Sequence, residues 1–140
     1  MNDEGWVPCI FELESIPGKV EASSWTIRNT EATEMKLMYV IPLPTQRGNQ
    51  KLFLSAIRIG LHDADSQNHV HWVEVRGIIY NKGSVIADVK NIWSSPQRIE
   101  IDVPDTDCSI YDSVKVIVHL KCTIPSGVDL SFVLAKCYYR

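Results

Sequence analysis

Apolar and polar side chains alternate with a period of two along most of the chain, the pattern of strands that bury one face. The stretch from Val114 to Ile124 shows it best. Val114, Val116, Val118, Leu120, Cys122 and Ile124 share one face, and Lys115, His119, Lys121 and Thr123 share the other. Pro125-Ser126-Gly127 then predicts a turn, with Val128 to Tyr139 as the return strand. Upstream, Arg98 to Val103 alternates Ile99, Ile101 and Val103 inward, and Pro104 with Asp105-Thr106-Asp107 is expected to end that strand. Asn81-Lys82-Gly83 separates Val70 to Tyr80 from Ser84 to Trp93. Asn and Gly tolerate positive φ, so a tight hairpin turn is predicted there. Lys51 to Leu61 reads as another strand, and Cys9 to Leu13, Ser24 to Arg28 and Met35 to Ile41 as shorter ones.

Only Thr30 to Met38 and Cys108 to Ser113 could carry a helical turn, and neither shows a sustained 3.6-residue apolar stripe. About nine short strands with turn signals between them predict an all-β fold. The expected architecture is a single-domain antiparallel two-sheet β-sandwich, jelly-roll-like, over residues 1–140. No repeat, low-complexity tract or linker interrupts it.

Composition narrows the classes. With 140 residues, 45% apolar and 22% charged, the chain is long enough to enclose a core and too apolar to stay disordered. The formal charge of −3, without a run of Lys or Arg, lacks the basic stripe that duplex nucleic acid requires. No nucleic-acid partner is expected. No stretch reaches the roughly 18 apolar residues of a membrane span. The acidic start MNDEGWVPCIFELE lacks the features of a signal peptide, so a cytoplasmic or particle-associated protein is expected. Cys9, Cys108, Cys122 and Cys137 are scattered, with no C-x-x-C pair, and read as buried free thiols.

The densest chemistry is HDADSQNHVHW, residues 62–72. Counted from Asp63, Asp65 and Glu74 fall at positions three and twelve of an EF-hand-like loop, but strands flank it where an EF-hand has helices. What survives is an Asp63-x-Asp65 turn able to take calcium. His69 and His71, two apart on a strand, face one side as a transition-metal pair would. With Glu74, and His119 from a later strand, they outline a cupin-like metal site. Glu74 lies only three residues past His71, on the opposite face of a regular strand unless a bulge intervenes. The simplest account makes residues 63–68 a polar connection, with His69 and His71 on the core side beside Val73 and Val75.

The other face of that strand carries Trp72, Glu74 and Arg76. An exposed indole beside a carboxylate and a guanidinium suits a sugar, the ring stacking on C–H faces while charges bond hydroxyls. Trp and Arg equally anchor protein contacts. Trp25 and Trp93 share faces with apolar neighbours and are expected in the core. No nucleophile elbow, P-loop or dinucleotide fingerprint occurs, so catalysis is not expected.

Three functions follow in order. The leading expectation is a non-catalytic structural or assembly subunit, such as a virion or particle component, forming a homo-oligomer or meeting other protein subunits. The alternative is a carbohydrate-binding module that holds a glycan on Trp72, Glu74 and Arg76, with calcium assisting at Asp63 and Asp65. The third is a cupin-like metal-dependent enzyme.

Overall fold

Alternation along the chain becomes two antiparallel sheets in the computed structural model, which describes residues 5–12, 20–22, 27–29, 34–62, 68–90, 98–122 and 129–140. The strands are β1 (Gly5–Pro8), β2 (Ile10–Phe11), β3 (Val20–Ala22), β4 (Ile27–Asn29), β5 (Glu34–Val40) and β6 (Gln46–Arg47). They continue as β7 (Gln50–His62), β8 (Asn68–Ile79), β9 (Lys82–Lys90), β10 (Arg98–Asp107), β11 (Ser113–Cys122) and β12 (Asp129–Tyr139). One sheet runs β10-β7-β12-β4-β3, with β1 added on β12 and β6 on β7. The other runs β2-β5-β11-β8-β9. The fold is the expected β-sandwich.

The core lies where the inward faces of both sheets meet. Leu37, Val73, Val75, Val116 and Val118 from the five-stranded sheet pack with Leu52, Leu54, Ile57, Ile59 and Ala135 from the other. Each fully buried Leu, Ile or Val contributes about 1.5–3 kcal/mol relative to exposure, and β-branched residues suit the pleat besides. Cys108 and Cys137 are buried and Cys9 half-buried, all three as free thiols. Burial pushes their pKa values up to about 11 for Cys108 and about 12 for Cys9 and Cys137, which keeps them inert.

On the outer face of the seven-stranded sheet, aromatic rings are capped by cations. The Arg58 guanidinium lies 4.0 Å from the centre of the Trp6 ring, and Arg140 lies 4.4 Å from that of Phe53. Phe53 also stacks on Tyr138, with ring centres 5.4 Å apart.

Several expectations are corrected. Strand β10 does not end at Pro104 but runs on to Asp107, with a register shift between Asp102 and Thr106. It is an edge strand, where a missing N–H leaves no ladder bond unmade and a bulge absorbs the proline. The hairpin between β8 and β9 turns on Tyr80 and Asn81, one residue earlier than expected, with Ile79 paired to Lys82. Both turn residues have positive φ, 49° and 65°, the signature of a type I′ turn. Gly83 is already in β9. The described residues hold twelve strands, because β1, β3 and β6 are too short to show a period. Glu34 to Val40 is a strand, and 108–112 turns without helix. The Pro125-Ser126-Gly127 turn, Trp25 and Trp93 lie outside the described residues.

Candidate functional site

Register fixes what the outer face of the five-stranded sheet presents. On β8, Val73 and Val75 are buried in the core, so Trp72, Glu74 and Arg76 point the other way. Their partners on β11 are His119, Ile117 and Lys115. On β5, Lys36 lies opposite His119 and Met38 opposite Ile117. On β9, Asp88 lies opposite Glu74.

Two bulges frame this row. Pairing with β11 passes from Trp72 to Val70 and skips His71, and pairing with β9 passes from Ala87 to Val85 and skips Ile86. A bulge sharpens the local twist and re-aims side chains; Trp72 and Glu74 sit between the two, and Arg76 lies directly past the second. The first also corrects an expectation. Val70, opposite Leu120, continues the core face, so His69 falls on the face of Trp72 and not on that of Val73. The sequence carries no sign of it, because HVHW alternates as smoothly as a regular strand.

Glu74 is the centre of the arrangement. Its side chain is only 5% exposed, yet it carries a charge with partners on both oxygens. Oε1 accepts from Arg76 Nε at 3.0 Å and from Arg76 Nη2 at 2.7 Å. Oε2 lies 2.6 Å from His119 Nε2, which donates because an ionised carboxylate only accepts. Burial opposes the charge, but the hydrogen bonds from His119 and Arg76, with their charges, outweigh it and hold the carboxyl below the usual carboxylate range.

His119 links this ion pair to the indole. Its ring stacks on Trp72 with centroids 3.9 Å apart and planes 11° from parallel. Trp72 Nε1 donates to Asp88 Oδ1 across the strand pair. Both polar and apolar edges of the indole are therefore fixed from neighbouring strands.

Beside this assembly lies a cleft of about 340 Å³, lined by Lys36, Met38, Glu74, Arg76, Ile78, Asn81, Gly83, Lys115 and Ile117. The apolar floor comes from Met38, Ile78 and Ile117, and the polar wall from Arg76 and the two lysines. Lys115 Nζ is 3.2 Å from Glu12 Oε2. At one end the hairpin tip is clamped: Tyr80 N donates to Asp112 Oδ2 at 3.0 Å, and Asp112 N donates to Ile78 O at 2.7 Å. Tyr80 itself is 86% exposed.

The residues proposed for metal fare differently. His69 is buried and lies edge-on to His71, with ring centres 6.4 Å apart, and His71 is 6.3 Å from His119. The bulge that a Glu74 ligand would need is present, but both oxygens of Glu74 already hold Arg76 and His119. Among the described residues, no group of three or more His, Cys, Asp or Glu could hold a metal ion. Asp63 and Asp65 lie outside the described residues.

No protein-family model matches the chain, and no curated protein matches it in sequence. Solved structures do match in fold. A low-affinity xylan-binding module of family CBM86 from Roseburia intestinalis superposes with a TM-score of 0.59 at 8% identity, over 97% of this chain and 94% of that one. The family 32 carbohydrate-binding module of NanJ from C. perfringens, solved with galactose, gives a TM-score of 0.51 at 12% identity, over 99% and 93%. At such identities the likeness shows the fold alone. It nevertheless corrects the leading expectation of a structural or assembly subunit in a virion or particle: both of these neighbours are carbohydrate-binding modules, which fit the alternative better.

Proposed function

We propose that this protein is a non-catalytic carbohydrate-binding module whose ligand lies along the outer face of the five-stranded sheet. The observation that carries this reading is the cleft beside the Trp72–His119 stack, with an apolar floor and a guanidinium on its wall. Sugar rings present C–H faces to flat apolar side chains and hydroxyls to fixed polar groups, and such a cleft offers both. Arg76 uses Nε and Nη2 on Glu74, which leaves donors on the same planar fork for a ligand oxygen. Glu74 then acts by positioning Arg76 and His119, and Trp72 forms the platform. Tyr80, beside the lining residue Asn81, extends the apolar surface at the far end. The fold shared with xylan- and galactose-binding modules supports the reading without supplying its ligand.

Affinity electrophoresis through gels containing soluble polysaccharides tests it. The parent protein is expected to be slowed by at least one polysaccharide, and Trp72→Ala to migrate as in a plain gel. A parent chain unretarded by every polysaccharide in a broad panel removes the reading. Calcium at Asp63 and Asp65 belongs to the same proposal, and slower migration in calcium than in EDTA is its expected sign.

A further inference from the structure

We infer that the cleft takes an anionic glycan, one whose sugars carry carboxylate or sulfate groups. The inference rests on the carbohydrate-binding reading and names the ligand class of that same cleft. Its basis is an imbalance of charge within one lining. Lys36, Arg76 and Lys115 line the cleft, against the single carboxylate of Glu74. Both Glu74 oxygens are occupied from within the protein, and three hydrogen bonds from Arg76 and His119 take up most of the carboxylate's acceptor capacity and offset its charge. Lys115 has Glu12 at 3.2 Å, whereas no carboxylate is paired with Lys36 among the described residues.

The positions of these cations make the imbalance meaningful. Lys115 and Arg76 are direct cross-strand partners on β11 and β8, where like charges destabilise a sheet. Lys36 sits on the far side of β11, opposite His119. Cations thus project from three adjacent strands of one face, in a chain whose net charge is −3. That overall charge repels polyanions in general, so any retention by them must come from a local patch. A guanidinium fork flanked by two ammonium groups suits planar carboxylates and sulfates, while the apolar floor suits the sugar ring that bears them.

The test compares matched polysaccharides by affinity electrophoresis at low and moderate salt: a neutral xylan, a neutral galactan, a polygalacturonate and a sulfated galactan. The expected result is stronger retardation by one or both acidic polymers than by the neutral ones, weakening as salt rises. Retention by polygalacturonate alone identifies carboxylate as the anion, and retention by the sulfated galactan alone identifies sulfate. Lys36→Gln and Lys115→Gln are each expected to weaken it by roughly two- to fivefold, the range of an exposed charge contact. Lys51→Gln, whose side chain is exposed on β7 in the other sheet, is the charge control and is expected to change nothing. Equal or stronger retardation by a neutral polymer overturns the inference and leaves the carbohydrate-binding reading standing. Retardation by acidic polymers that the Lys51→Gln control loses as fully as Lys36→Gln also overturns it. No retardation by any polymer overturns both.

Discussion

The indole of Trp72 and the imidazole of His119 lie face to face across two neighbouring strands, 3.9 Å between ring centres. The same imidazole donates to Glu74 at 2.6 Å, and Glu74 holds Arg76. One histidine therefore sets both the tilt of the platform and, through a carboxylate, the seat of the guanidinium. The proposed site is a connected unit and not three independent side chains.

Replacing His119 with Ala should therefore damage binding without touching the ligand's own contacts. The stack is worth about 0.5–1.5 kcal/mol, so polysaccharide affinity is expected to fall by roughly two- to tenfold. Loss of the bond to a buried carboxylate adds a destabilisation of about 1–3 kcal/mol, visible by calorimetry. A variant that binds like the parent would show that the stack does not orient the platform.

Acid should remove the stability that Glu74 contributes. Its folded-state pKa is lowered, so the stability it contributes is fully present above its unfolded value of about 4.3 and is lost as pH falls through the lower folded value. Melting curves from pH 7 down to 2 should fall more steeply for the parent than for Glu74→Gln, which has no such charge to lose. The variant's melting temperature should be lower at neutral pH, and the two curves should converge in acid. Parallel curves would show that the carboxylate carries no differential charge energy.

Much of this was legible in sequence, and the remainder has identifiable physical causes. A long strand such as β11 announces itself by five apolar positions in unbroken alternation, Val114 to Cys122, whereas β1 and β6 have too few residues for a period to emerge. Trp72, Glu74 and Arg76 stood out because alternation alone puts them on one face. The bulge at His71 leaves no break in the alternation of HVHW, so the pattern alone puts His69 on the wrong side. The cleft floor left a fainter signal. Ile117 occupies a position where Lys115, His119 and Lys121 make the face polar, and a buried Ile there needs apolar company, which Met38 supplies from β5. Which lysines gather around it depends on strand order, and no single strand reveals that.

Gly77 is a position where space, and not φ, selects glycine. It is buried on β8 opposite Val114, and a Cβ there would run into the ring of Tyr111. The clash involves the root of the ring as well as its edge, so a small rotation does not relieve it. Gly77→Ala is expected to cost about 1–3 kcal/mol, the usual range of overpacking. Chemical denaturation should record it as a lower midpoint with an unchanged slope. An unchanged midpoint would mean that the 108–112 turn carrying Tyr111 shifts freely.

Tyr80 offers the sharpest separation of stability from function. It adopts a φ of 49° at the first turn position, a conformation that costs an ordinary residue about 1–2 kcal/mol and that glycine accepts without strain. Its ring is 86% exposed and so recovers little by burial. A bulky aromatic kept where it destabilises the turn is explained if the ring meets a ligand, because strain is tolerated at functional positions. Tyr80→Gly keeps the backbone N–H that Asp112 accepts and removes the strain. The extra flexibility of glycine in the unfolded chain offsets part of the gain, leaving a net change of about 0 to +1 kcal/mol. The variant should therefore melt at or slightly above the parent temperature while its retention by polysaccharide falls. Tyr80→Phe, which keeps the ring, should restore retention. If Tyr80→Gly binds as well as the parent, the ring lies outside the ligand's reach and the cleft ends at Asn81.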